Sequence, residues 1–157
     1  MREINIYIDG ACSGNGKTNS TGGWGVVIYD RPDCAPIETC GGQSDTTNQR
    51  MELMACVKAL VLASIRYAGS ERVQLRIHSD SAYLVNCMTQ GWYKKWQMNG
   101  WTTARGTQVD NKDLWEQIIT LVKQHHLITF HKVAGHSGIP GNVRADEMAQ
   151  RGKLVMN

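Results

Sequence analysis

Three apolar runs joined by short links constrain the fold of this chain more than any other feature. Ile4, Ile6 and Ile8 alternate with polar residues from Glu3 to Ile8, the period of a strand with one buried face. A second run, Trp24-Gly25-Val26-Val27-Ile28, lies within Gly23 to Tyr29, and a third strand is predicted near Ile37 to Gly42. The links are a glycine-rich turn from Ser13 to Gly23 and the turn Arg31-Pro32-Asp33. They are too short for parallel crossovers, so the three strands must form an antiparallel meander.

After the third strand the period changes. Thr47 reads as an N-cap for a helix from Asn48 to Tyr67, in which Leu53, Val57, Leu60, Val61 and Ser64 recur at helical spacing. Val73, Leu75 and Ile77 alternate along a fourth strand that ends at Ser79-Asp80. A short helix from Ser81 to about Met88 and a Trp-rich basic segment from Gly91 to Arg105 follow. Asp110 is then expected to cap a helix reaching about His126, ahead of a fifth strand from Ile128 to Val133. A glycine-rich loop, Gly135 to Asn142, leads to a last helix, Val143 to Lys153. The order β-β-β-α-β-α-α-α-β-α predicts an α/β fold, a mixed sheet covered by helices. No repeat, low-complexity stretch or linker interrupts it, so a single domain over residues 1–157 is expected.

Composition excludes several classes. With 41% apolar and 20% charged residues the chain is that of a globular protein. It has no apolar run near the roughly 20 residues of a membrane span, and its alternating N-terminus is not a targeting segment. Five cysteines, odd in number and without a C-x-x-C pair, argue against a disulfide framework or zinc site. They suit a reducing compartment, and a cytoplasmic location is expected. The net charge is +3. Between Asp80 and Asp110 there is no acid, and Lys94, Lys95 and Arg105 are its only Lys or Arg residues, so this Trp-rich segment holds the whole excess.

Four acids sit near element ends. Asp9 and Asp80 each follow an alternating strand, Glu52 falls in the first turns of the long helix, and Asp146 lies near the start of the last one. Ligands bind at strand ends in α/β sheets. A helix crossing between the first and fourth strands makes them parallel neighbours, with Asp9 beside Asp80. Carboxylates that converge repel one another unless a cation relieves them. Magnesium prefers such oxygen ligands, and two ions about 3.5–4 Å apart clamp the attacking and leaving oxygens of a phosphoryl displacement. Each acid also has an ordinary reading, Asp-Gly as a turn former and Glu52 or Asp146 as a charge near a helix N-terminus. Spacing alone does not make the four converge.

The motifs Ile8-Asp9-Gly10-Ala11-Cys12, Thr46-Thr47-Asn48-Gln49-Arg50-Met51-Glu52-Leu53, Ser79-Asp80-Ser81, Gly135-His136-Ser137-Gly138 and Asn142-Val143-Arg144-Ala145-Asp146-Glu147-Met148-Ala149 occur in this order. Together they resemble the bacterial type 1 ribonucleases H over nearly the whole chain. The resemblance implies a five-stranded mixed sheet of order 3-2-1-4-5 flanked by helices. It implies endonucleolytic hydrolysis of the RNA strand of an RNA/DNA hybrid, with two Mg2+ ions (Mn2+ as a possible substitute), leaving 3′-hydroxyl and 5′-phosphate ends. Asp9, Glu52, Asp80 and Asp146 match the family's metal-binding carboxylates. His136 matches its loop histidine, and an imidazole between glycines can shuttle protons near neutral pH. A monomer is expected.

A hybrid must be read on both strands. An A-like RNA strand displays its 2′-hydroxyls across a shallow minor groove. By resemblance Cys12, Asn15, Asn48 and Gln49 line that groove, and Thr47 and Asn111 match a DNA-phosphate pocket. Trp92, Tyr93, Trp96 and Trp101 interleaved with Lys94, Lys95 and Arg105 suit a DNA backbone, rings against sugars and cations on phosphates. Trp96 and Trp101 are expected to be mainly structural and Trp92 to lie nearer the DNA. The chain also departs from the family pattern. The lysines precede Trp96, Gln97-Met98-Asn99 stands where cations usually cluster, and Gly91 is extra. Asp45 replaces an arginine of the phosphate pocket, the loop after Asp9 is longer, and Ala82 and Val143 replace a usual Gln and Glu. No proposed metal ligand is lost. The alternative reading is a hybrid-binding module with little or no catalysis.

Overall fold

The computed structural model describes residues 1–69, 72–125, 127–135 and 137–155. The meander is present as β1 (Arg2–Ser13), β2 (Thr21–Tyr29) and β3 (Ile37–Ser44). Next come α1 (Asn48–Arg66), β4 (Val73–Ser79), α2 (Ala82–Gln90), α3 (Trp92–Met98), α4 (Lys112–Gln124), β5 (Ile128–Lys132) and α5 (Pro140–Gly152). The five strands form one sheet in the order β3-β2-β1-β4-β5. The β1–β2 and β2–β3 pairs are antiparallel, and the β1–β4 and β4–β5 pairs are parallel. Fold class and strand order agree with expectation.

Period-two burial sets the main core. Ile4, Ile6 and Ile8 of β1 are fully buried against Met51, Leu53, Ala55, Cys56 and Ala59 of α1, with Trp115 and Ile118 of α4 completing the layer. Thr47 caps α1, its side chain accepting a hydrogen bond from the Arg50 N–H at 3.1 Å. On the other face of the sheet Val27 packs with Ala145 and Met148 of α5, beside Tyr7, Tyr29 and Cys40.

Glycines allow backbone to meet backbone where the helices cross the sheet. A Cβ at Gly25 would lie 2.5 Å from the Ala145 carbonyl oxygen, and one at Gly23 would lie 2.5 Å from the Lys153 nitrogen. Gly152 of α5 meets the Gly41 carbonyl in the same way. This seam fixes the height and rotation of α5. Gly10 does the same for α1, since a Cβ there would lie 2.5 Å from the Met51 carbonyl carbon.

Most boundaries shift by a residue or two, and three differences from expectation bear on the site. Helix α5 begins at Pro140 rather than Val143, because proline suits the first helical position. Position 141 takes a glycine because the Tyr7 ring occupies the space of a side chain. Helix α4 is preceded by Asn111 and not capped by Asp110. Asn111 adopts a left-handed conformation (φ 61°), its carbonyl accepts the Leu114 and Trp115 N–H groups, and its side chain is held by Arg50. Strand β1 runs on to Ser13, so Asp9 lies inside the strand opposite Gly25 of β2 instead of beyond its end.

All five cysteines are free. Among the described residues no helix is long and apolar enough to cross a membrane.

Candidate active site

The β1–β4 pairing stops at Tyr7 and His78, although β1 continues. Past that point the two strands separate, and Asp9 and Asp80 stand side by side at the opening. Helix α1 crosses beneath, close enough at Gly10 to bring Glu52 to the same place. Carboxylate oxygens of Asp9, Glu52 and Asp80 all lie within 4.8 Å of one another. Asp146, in the second turn of α5, faces the same cleft of about 420 Å3. All four predicted acids therefore reach one cleft, three as a tight cluster and the fourth from its α5 wall.

The electrostatics follow from crowding and burial. Asp9 is pushed up to about 8, first by desolvation, then by the Asp80 charge and more weakly by Asp146 and Glu52. The Gly10 N–H, 2.9 Å from Asp9 Oδ1, opposes that shift. Glu52 is pushed up to about 7, again chiefly by burial and then by Asp80, against hydrogen bonds from Ser81 and Asn48. Near neutral pH the cluster therefore keeps protons that a cation would displace. A donor set of crowded carboxylate oxygens, without imidazole or thiolate among its described members, fits a hard divalent cation.

Several of the residues expected to meet substrate gather nearby. Cys12 and Asn48 line the cleft itself, and Asn48 Nδ2 donates to Glu52 Oε1 at 3.3 Å. Asn15 Oδ1 accepts the Asn48 N–H at 2.6 Å, tying the glycine loop to the start of α1. Asn15, Thr47, Gln49 and Asn111 share an adjoining hollow of about 440 Å3, whose wall also includes Asp110. Asp45 turns from this hollow to brace the loop, its Oδ1 accepting the Asn19 N–H at 2.8 Å. On α3, Lys94 and Lys95 are exposed. Trp96 stacks at a tilt near Trp101 and Trp115, and Trp92 lies edge-on to Tyr83. Arg105 is exposed in the turn after α3. His136 lies outside the described residues.

Sequence reasoning missed Asn142 and Gln150 of α5 and Lys153 just after it, all of which line the cleft. The signal was available: residues 142, 146, 150 and 153 recur at helical spacing on one face.

A mixed sheet that delivers carboxylates to the gap between its central strands, under an open cleft, defines an α/β enzyme with a carboxylate centre. The RNase H family model matches residues 1–153, and the chain belongs to that family. It is 47% identical over 151 residues to the ribonuclease H of Chlorobaculum parvum, covering 95% of this chain and 94% of that one. It is 44% identical over 151 residues to the ribonuclease H of Syntrophomonas wolfei, covering 96% and 95%. Among solved structures it is similar to LC9-RNase H1, described as a type 1 RNase H with the type 2 active-site motif. That likeness has a TM-score of 0.80 at 29% identity, covering 98% of this chain and 73% of that one. The fold is also that of LC11-RNase H1, solved in complex with RNA/DNA hybrid, with a TM-score of 0.74 at 24% identity and 96% coverage of each.

Proposed function

We propose that this chain is a ribonuclease H that cuts the RNA strand of RNA/DNA hybrids endonucleolytically, leaving 3′-hydroxyl and 5′-phosphate ends. The observation that carries the reading is the Asp9–Glu52–Asp80 cluster in a chain matched to the RNase H family. Asp9, Glu52, Asp80 and Asp146 are assigned as ligands of two Mg2+ ions, with Mn2+ a possible substitute. When bound, such ions polarise the phosphodiester, generate a hydroxide nucleophile and stabilise the leaving alkoxide.

The chain's own residues do the rest. The four carboxylates would hold the cations through their oxygens. Asn48 orients Glu52 through its amide. Cys12, Asn15, Asn48 and Gln49 are assigned to the RNA-side groove, where backbone groups and amides meet 2′-hydroxyls. Thr47 and Asn111 are assigned to a DNA phosphate. Trp92, Lys94, Lys95, Trp96 and Arg105 are assigned to the DNA strand. His136 is assigned to proton transfer. The proposal includes a monomeric, cytoplasmic protein acting as one domain over residues 1–157.

The test is incubation of a labelled hybrid with Mg2+, with and without chelator, beside duplex DNA and duplex RNA. Metal-dependent cutting of the RNA strand of the hybrid alone is expected, and Asp80→Asn should abolish it while leaving the fold intact. Binding of hybrid without metal-dependent cutting would favour a non-catalytic module, and full activity in Asp80→Asn would remove the mechanism.

A further inference from the structure

The cleft that holds the four acids has one cation on its described wall, Lys153, immediately after α5. Its Nζ donates to Ser13 Oγ at 3.0 Å, and it forms no ion pair with any carboxylate among the described residues. Its position is fixed because its backbone nitrogen sits against Gly23 of β2 in the glycine seam. It stands seven positions after Asp146, about 10 Å along the helix axis. A nucleic-acid strand carries one charge per roughly 3.4 Å of helix axis, so a strand laid over the acids passes further phosphates across that distance.

We propose that Lys153, steadied by the Ser13 hydroxyl, is a positioning residue that holds an RNA-strand phosphate a few nucleotides from the bond being cut. This rests on the reading of the cleft as the RNA-cleaving site. The cleft needs such a group because its acids attract cations but repel a polyanion. An ammonium on the same wall, away from the metal ligands, gives the strand a fixed anchor without competing for those ligands. A lysine at this place is also favourable for the negative end of the α5 dipole. That purely structural role makes a different prediction.

The experiment measures hybrid binding by fluorescence anisotropy across a salt series, comparing Asp80→Asn with Asp80→Asn/Lys153→Gln and Asp80→Asn/Lys153→Arg. A lost phosphate contact should weaken binding roughly three- to tenfold near 0.1 M salt and lower the slope of log affinity against log salt by about 1. Arginine should keep the slope, and the melting temperature should hold. Unchanged affinity and slope in the glutamine variant would overturn the proposal. So would a lower melting temperature with an unchanged slope, which is the signature of the helix-end role. If the wild-type protein cuts no hybrid yet Lys153→Gln still reduces the slope, the cleavage reading fails and the anchor stands.

Discussion

Asp9 links stability to pH in a direction opposite to that of most acids. Its pKa in the fold lies far above the ordinary 3.8, so the metal-free fold binds more protons than the unfolded chain. The associated stability is complete at low pH and is lost as pH rises towards about 8. Glu52, raised to about 7, acts in the same sense. His78 is lowered to about 4 by burial and by its neighbours His131 and Arg76, so it opposes the acids below pH 6.5 and is silent above. In chelator, the melting temperature should therefore fall between pH 6.5 and 8, and Asp9→Asn should flatten the curve. At pH 8 that variant should melt roughly 2–6 °C higher than wild type while being inactive. Calorimetry with and without Mg2+ checks this, and a wild-type melting temperature that rises over the same interval would refute it. Asp9 as an acid beside Asp80 was legible in the motif, but its place inside a continuing strand was not. That depends on β1 outrunning β4 after Tyr7, a tertiary fact.

At the scale of elements, position is decided by close approach. Gly25→Ala would force a methyl group into the α5 backbone at Ala145 and Ala149. Overpacking of this kind costs about 1–3 kcal/mol, which should lower the melting temperature by several degrees. It should also reduce kcat more than affinity, because the displaced helix carries Asp146. Thermal melts paired with steady-state kinetics would test both, and a variant with wild-type stability would deny the seam its role. The meander and α1 were readable because Ile4, Ile6 and Ile8 alternate and Leu53, Val57 and Leu60 recur at helical spacing. The start of α5 was not, because Gly141 reads as loop until the Tyr7 ring above it is known. Asp110 looked like a cap, but a left-handed Asn111 intervenes. Gln150 and Lys153 share the helical face of Asp146, but how that face is turned to the cleft depends on the seam, and a glycine within a strand reads only as a weak point.

Over the whole molecule, charge is divided between an acidic cleft and a basic arm. Lys94 and Lys95 are exposed on α3, which is anchored to the body through Trp96 against Trp101 and Trp115. Lys94→Ala/Lys95→Ala should raise KM for hybrid roughly tenfold at moderate salt, reduce the salt slope by about 1–2 and leave the melting temperature unchanged. Steady-state assays over a salt series would show this, and an unaltered slope would detach the arm from substrate. The distribution of the acids along the chain has a consequence for synthesis. Asp9, Glu52 and Asp80 precede Asp146 by at least 66 residues, which take roughly 3–13 s to translate. During that interval a growing chain holds three of the four carboxylates, and the glycine surface of β2 and β3 is bare. The emergence of α5 closes both gaps at once, so completion of the centre and covering of the sheet are a single late event in the life of each molecule.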